Sequence, residues 1–494
     1  NAVALSATAC PSPSYATSPA TDSPATAAPS TAAPSTAAAS LPSDADGSCP
    51  PPPLSVLGGE VRVPLSGGGE TGYAALDQAA SAPALRRVWD DVAAYLPSYG
   101  SVHRGAGHLS RLSTELFERS RETVADFLGC RLDDQVVFTR STTDSLNLLA
   151  AALPSGTRVF VFETEHHAAL LPWAHHGHPV TWLPAPRSTA EAVAAASAAL
   201  GAAPAGPKLL CVTGASNVTG ELWPVRELAQ VARRHGARTV LDAAQWVPHR
   251  AVDLSVLGVD WVAFSGHKVY APFGAGVLAG RADWLDAAPP YLAGGGASRS
   301  VEGDARQGLT TVWQTGAARH EAGSPNVVGA YALASACRAL AEVGFAAVTE
   351  HEQRLLRRLR TGLASVSAVR ELSLFGPESE RVAVVSFVVA GVDSGELAAR
   401  LSDDYGIGVR AGLFCAHPLV RLLLEGAADH DDEASDSTDA EAREPEQQRK
   451  PEQQREPGCD GTATQAIRVS FGAGTPVEHV DRLVRAVREL VAAR

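Results

Sequence analysis

Short apolar runs alternate with longer stretches rich in Ala, Leu, Arg and Glu through the middle of this chain. Val136-Val137-Phe138, Arg158-Val159-Phe160-Val161-Phe162, Lys208-Leu209-Leu210-Cys211-Val212, Arg238-Thr239-Val240-Leu241 and Trp261-Val262-Ala263-Phe264 are brief and almost continuously apolar, which predicts buried strands. Between and before them the pattern predicts helices near 113–128, 188–200 and 225–235. Strands that alternate with helices imply an α/β fold, with a mostly parallel sheet covered by helices. A long Ala-rich helical pattern from about residue 330 opens what reads as a smaller α+β unit.

Two segments break the pattern. Residues 1–55 are mostly Ala, Ser, Thr and Pro with near repeats such as Ala-Ala-Pro-Ser-Thr, and such a composition buries too little apolar surface to offset its ordering entropy. A disordered tail is expected there. Residues 426–463 begin acidic and then repeat Pro-Glu-Gln-Gln-Arg at 445–449 and 451–455, after which folded patterning resumes at Thr464. The segment therefore reads as a disordered acidic insertion within a domain. The expected division is a large domain over 56–330, whose opening stretch packs with the small domain, and a small domain over 331–494.

Charge adds little to this picture. The net charge is −13, and 429–444 alone hold eight acidic residues against one arginine, so the remaining body is only mildly acidic. That balance argues against general nucleic-acid or anionic-membrane binding. No apolar run approaches the length of a membrane span. The seven cysteines are scattered, odd in number and without a CxxC pair, which argues against a disulfide framework or a structural zinc site. No lysine or arginine precedes Arg62, so no secretory or transit signal is expected and the reading is cytoplasmic.

Lysine usage changes the picture more. The chain has only three, Lys208, Lys268 and Lys450, against 38 arginines. Where lysine persists against that bias, it offers what guanidinium lacks: an amine that sheds its proton and forms a Schiff base. Lys268 closes the run Phe264-Ser265-Gly266-His267-Lys268 directly after a predicted strand. The competing reading is a surface lysine whose stem lies along apolar residues.

Ligands of parallel sheets bind beyond the carboxyl ends of strands, and four more clusters lie at such ends. Thr139-Arg140-Ser141-Thr142-Thr143 is a hydroxyl-rich turn leading into a helix, which suits either a phosphate cradle or ordinary N-capping. Glu163-Thr164-Glu165-His166-His167 supplies an imidazole able to stack on a planar ring. Its rival is a metal site with His175, His176 and His178, which no paired thiolates or carboxylate spacing supports. Ser216-Asn217-Val218-Thr219-Gly220 offers a side-chain amide. Asp242-Ala243-Ala244-Gln245 offers a carboxylate that can keep a pyridinium nitrogen protonated.

Taken in this order, the clusters resemble the fold-type I, class V aminotransferase-like pyridoxal-phosphate enzymes, and are most similar to the SufS-like group of cysteine desulfurases and selenocysteine lyases. Further matching segments are Tyr73-Ala74-Ala75-Leu76-Asp77-Gln78-Ala79-Ala80, Val102-His103-Arg104-Gly105, Glu321-Ala322-Gly323-Ser324-Pro325-Asn326, Val409-Arg410-Ala411-Gly412-Leu413-Phe414-Cys415-Ala416-His417-Pro418 and Arg468-Val469-Ser470. The resemblance runs from about residue 70 to the end, apart from 426–463.

The resemblance implies pyridoxal 5'-phosphate as cofactor, a homodimer, a small amino-acid substrate and a sulfur-acceptor protein. Lys268 would carry the Schiff-base link and move the Cα proton. Asp242 would pair with the ring nitrogen, Gln245 with the ring hydroxyl oxygen, and His167 would stack over the ring. Thr142, Thr143, Ser265 and His267 would hold the phosphate, with Ser324 arriving from the neighbouring subunit. Asn217 would line the ring edge and the substrate, and Arg468 would clamp the substrate carboxylate. Cys415 would take sulfur from L-cysteine, leaving alanine and an enzyme persulfide; its competing reading is a small buried hydrophobe. Transamination, epimerisation or C–S lysis of another amino acid are the alternatives that keep the cofactor. The departures from the group lie on the substrate side: Phe414 stands where a histidine usually precedes the cysteine, and Ala473-Gly474-Thr475-Pro476 replaces a Tyr-Asn-Thr stretch.

Overall fold

The five predicted strands form, with two more, one seven-stranded sheet. They are β1 (Asp134–Thr139), β2 (Arg158–Phe162), β3 (Val180–Leu183), β4 (Lys208–Thr213), β5 (Arg238–Asp242), β6 (Trp261–Ser265) and β7 (Gly276–Arg281). The spatial order is β1-β7-β6-β5-β4-β2-β3. All neighbours are parallel except that β7 runs antiparallel to both β1 and β6. Residues such as Leu209, Leu210, Cys211 and Val212 are buried on both faces, which is why these strands read as continuous apolar runs. The chain is seen as a computed structural model that describes residues 50–103, 105–304, 306, 308–433 and 464–493.

The helices expected from the pattern are α1 (His108–Phe127), α3 (Thr189–Ala202) and α4 (Val225–Arg234), while α2 (Thr142–Ala152) follows the hydroxyl-rich turn. The Ala-rich stretch forms α5 (Val327–Val343), which runs into α6 (Phe345–Ala364). No single described helix is long and apolar enough to cross a membrane; that bent pair passes only when taken together, and its apolar side chains are largely buried.

A second sheet is built from β8 (Val369–Glu371), β9 (Val384–Val389), β10 (Arg410–Gly412) and β11 (Ala466–Ser470), all antiparallel in the order β8-β9-β11-β10. Its core joins Leu355, Leu359, Phe387, Ile467, Val469 and Val487. Ala74–Ala75 pairs with Ile407–Gly408 in a separate two-stranded ladder, and Asp77 bridges Ser470 of β11, so this early stretch is joined to the second sheet.

Two expected boundaries move. The tail predicted over 1–55 lies outside the described residues only to 49. Leu54 is buried and donates its N–H to the Ala473 carbonyl at 3.2 Å, so 50–55 belong to the fold. At the other segment, helix α7 (His417–Glu433) continues past residue 426, and 434–463 lie outside the described residues.

The two sheets are fastened by a buried ion pair. The side chains of Glu221 and Arg381 are both fully buried, 3.3 Å apart. Glu221 also accepts from the N–H groups of Leu374 and Phe375, and Arg381 donates to the Thr219 carbonyl. Replacing Glu221 by Ala leaves the buried guanidinium with only the partly exposed Glu371, 3.3 Å away, and orphans the Leu374 and Phe375 N–H groups, which costs about 3–5 kcal/mol. Urea denaturation should register that loss; a change below about 1 kcal/mol, the worth of an exposed pair, would show that the fastening is incidental.

Candidate active site

Register across the large sheet brings the chemistry together. Thr213 lies opposite Asp242, Asp242 opposite Ala263, and Ser265, Gly276 and Thr139 stand in one row. Glycine is required at 276: a Cβ there would sit 2.6 Å from the Ser141 backbone. That close approach lets Ser265 reach the start of α2, where its Oγ accepts the Thr142 N–H at 2.7 Å and meets the Thr142 hydroxyl at 2.7 Å. Ser141 caps the helix by accepting from Asp144 N–H. The outcome is a ring of hydroxyls around a helix N-terminus, a natural anion seat.

A cavity of about 220 Å³ opens at these strand ends, lined by Thr142, Thr143, His166, Asn217, Asp242, Gln245, Ser265, His267, Lys268, Phe414, Cys415 and Arg468. Burial lowers the Lys268 ammonium to about 8, with the nearby Asp242 charge opposing the fall. Burial raises the Asp242 carboxyl, while the Ala244 N–H and Lys268 restrain the rise. Asp242 Oδ1 accepts that N–H at 2.9 Å. Burial, reinforced by Lys268, also lowers His267. The Gln245 amide donates to the Ala79 carbonyl at 2.8 Å.

One sequence-based expectation needs correcting. The imidazole in the cavity belongs to His166; His167 is not among the lining residues. His166 ends the loop before the short helical turn His167–Leu170, and its Nδ1 accepts the Ala168 N–H at 3.0 Å. That bond leaves the other ring nitrogen as the N–H donor. Burial, then the charge of Lys268, pushes His166 down to about 3, so it stays neutral. His167 turns instead to His417, with ring centroids 4.5 Å apart, and gives its backbone N–H to the Cys415 carbonyl at 2.8 Å. The adjacent pair is ambiguous in sequence because a loop, not a periodic element, carries it. The capping position before Ala168-Ala169-Leu170 was the available signal.

Beside His166, Glu165 is a further polar group at this strand end whose part the sequence pattern does not indicate. It is buried, accepts the Thr213 N–H at 2.9 Å and is raised well above the carboxylate range by burial and by Asp242. Ser324 is exposed and does not line this cavity. Among the described residues no group of three or more His, Cys, Asp or Glu is arranged to hold a metal ion. His178 binds the Ala150 carbonyl, and His175 packs on His176.

Another wall of the cavity comes from the second sheet and the loop that follows β10. β11 delivers Arg468, 3% exposed, whose Nη2 donates to Asp77 Oδ1 at 2.8 Å and Nη1 to the Asn217 carbonyl at 3.2 Å. Arg410 lies 3.7 Å from the same Asp77. Cys415 is exposed, and both it and Phe414 adopt left-handed backbone, with φ of 54° and 52°. Such a turn costs each non-glycine residue about 1–2 kcal/mol. Two bonds offset that strain: Asn217 Nδ2 donates to the Phe414 carbonyl at 2.9 Å, and His167 N–H to that of Cys415. All four described cysteines, Cys130, Cys211, Cys337 and Cys415, are free.

The sequence profile of the aminotransferase class-V family matches residues 74–483. The chain belongs to that family. It is of the cysteine desulfurase type: it is 33% identical to a probable cysteine desulfurase of Vibrio cholerae over 84% of this chain and 93% of that one. It is 36% identical to probable cysteine desulfurase 2 of Mycobacterium leprae, over 74% and 87%. In structure it is similar to the apo cysteine desulfurase of Thermococcus onnurineus, with a TM-score of 0.71, 29% identity, and 85% of this chain and 95% of that one covered. An S-sulfonic acid form of an Escherichia coli cysteine desulfurase gives 0.68 at 28% identity, over 85% and 95%.

The donor set fits pyridoxal phosphate: an amine of lowered proton affinity, a carboxylate buried deep in the same cavity, and hydroxyls at a helix start. Only the neutral amine attacks an aldehyde. Capture of pyridoxal phosphate by the apoprotein should therefore accelerate with pH around a midpoint near 8, against 10.5 for an ordinary lysine. Because the Asp242 charge holds the ammonium up, Asp242→Asn should move that midpoint lower. Stopped-flow absorbance at graded pH measures both, and a midpoint near 10.5 would contradict the assignment.

Proposed function

We propose that this chain is a pyridoxal-phosphate-dependent cysteine desulfurase that moves sulfur from L-cysteine to Cys415. The observation that carries the reading is one cavity lined at once by Lys268, Asp242, Arg468 and Cys415. Lys268 would anchor the cofactor, Asp242 would meet its ring nitrogen, Gln245 would lie against the ring, and His166 would replace the expected His167 as the residue beside it. Thr142, Thr143, Ser265 and His267 would hold the phosphate. When bound, the cofactor supplies an electron sink for the substrate's α-carbon.

The rest is the work of the protein's own groups. Arg468 receives the substrate carboxylate through a charge-assisted pair. Lys268, with its ammonium lowered to about 8, can both take and return a proton near neutral pH. Neutral His166 offers an N–H without adding positive charge. The sulfur of Cys415 attacks the substrate sulfur, forming an S–S bond as the Cβ–S bond breaks. The electron pair stays on Cβ, which takes a proton to become the methyl group of alanine, and Cys415 is left as a persulfide. The exposure of Cys415 suits onward transfer to an acceptor protein or thiol. A homodimer in which Ser324 completes the neighbouring phosphate site, and a reducing cytoplasmic setting for the free thiol, belong to the same proposal.

Incubation with L-cysteine should yield alanine and, with a thiol reductant, equal sulfide, with no pyruvate. Cys415→Ser should reduce alanine formation to the level without enzyme while leaving cofactor absorbance intact. Pyruvate as the main product would replace the reading with C–S lysis, and full turnover by Cys415→Ser would remove the nucleophile.

A further inference from the structure

Phe414 departs from the residue type common before the cysteine in this group, and its surroundings give it a function of its own. Its side chain is 7% exposed and packs with Val218, Leu419 and Val420. The backbone is held in the left-handed region and pinned through its carbonyl by Asn217. The side chain is thus held by its packing and its pinned backbone, and over the ring lies Arg468, with Cζ 5.0 Å from the ring centroid.

The guanidinium is supported in two different ways. Asp77 and the Asn217 carbonyl hold two of its N–H groups at 2.8 and 3.2 Å, and these bonds act within its plane. They leave rotation about the plane weakly controlled. The Phe414 face supplies the perpendicular contact, where the electron-rich face of a ring attracts a cation. Arg468 is buried enough that burial lowers its proton affinity, so water screens this attraction little. Two of the five N–H groups are used, and Nε is buried without a protein partner. A carboxylate meeting the remaining donors in parallel needs the plane at a set tilt.

We infer that Phe414 is a positioning residue for substrate recognition: its ring sets the tilt of the Arg468 guanidinium, and thereby the affinity for the carboxylate of an amino-acid substrate. The inference rests on the reading of Arg468 as the carboxylate site. It predicts a specific pattern that packing of the Cys415 loop alone does not. Leucine at 414 fills much of the volume but has no ring face, whereas tyrosine keeps it. Fluorinated phenylalanines keep the shape and drain the face progressively.

The test is equilibrium binding of L-alanine to the cofactor-loaded protein, followed by absorbance, in wild type, Phe414→Leu, Arg468→Gln and the double variant. Phe414→Leu should weaken binding roughly five- to thirtyfold, and the loss should vanish in the Arg468→Gln background. Phe414→Tyr should bind as wild type, and affinity should fall stepwise along the fluorinated series. In turnover with L-cysteine the loss should fall on KM rather than kcat. An equal loss in both backgrounds, or a flat fluorinated series, overturns the inference. Wild-type affinity in Arg468→Gln alone removes the carboxylate reading instead, so the two failures are separable. If Arg468→Gln does not fold, the fluorinated series still decides.

Discussion

An amine taken out of water at the end of a buried strand is the constraint on which this structure depends. Lys268 is charged at little cost only where solvent reaches it; in the cavity, burial brings its proton affinity down to about 8. Asp242 answers it from the neighbouring strand, itself raised by burial. Each group makes the other tolerable, yet neither is neutralised by a short direct ion pair. Such an arrangement stores reactivity rather than stability, since a buried pair is weak support for a fold but a good way to tune protonation. His166 fits the same logic, because a neutral imidazole adds no second positive charge beside the lysine.

The surrounding scaffold holds this pair in place from two directions. Strand register puts Asp242 and Ser265 at one edge, and Gly276 lets the Ser141 backbone close over them. From the other side, the second sheet brings in Arg468, while the Glu221–Arg381 pair and the bond from Ser386 Oγ to the Val218 carbonyl secure the loop that carries Asn217. Asn217 then secures the Phe414-Cys415 turn. The proposed cofactor seat, built on rigid strand ends, is therefore coupled to the proposed substrate seat, delivered by residues far away in sequence.

Much of the cavity's strand-end lining was legible in the chain itself. Asp242 and Ser265 end strands that begin as apolar runs and Lys268 stands in the turn just after, so their place at the sheet edge follows from the strands. The two unpredicted strands had weaker signals: β7 keeps only Val277-Leu278-Ala279 between glycines, and β3 is a half-exposed edge. His166 and His167 could not be separated because the turn, not a period, decides which ring faces inward. The Asp77–Arg468 contact joins residues 391 apart, and no local pattern encodes it. Phe414 looked like a departure from a motif; its meaning appeared only once Arg468 lay across it.

Of the chain's three lysines, Lys268 is the one proposed to hold the cofactor. Loading the protein with pyridoxal phosphate, reducing it with borohydride and mapping the modified peptide by mass spectrometry tests this directly. A single pyridoxyl adduct is expected, on the peptide containing Ser265-Gly266-His267-Lys268. An adduct on Lys208 or Lys450 in its place, or none at all after loading, would contradict it.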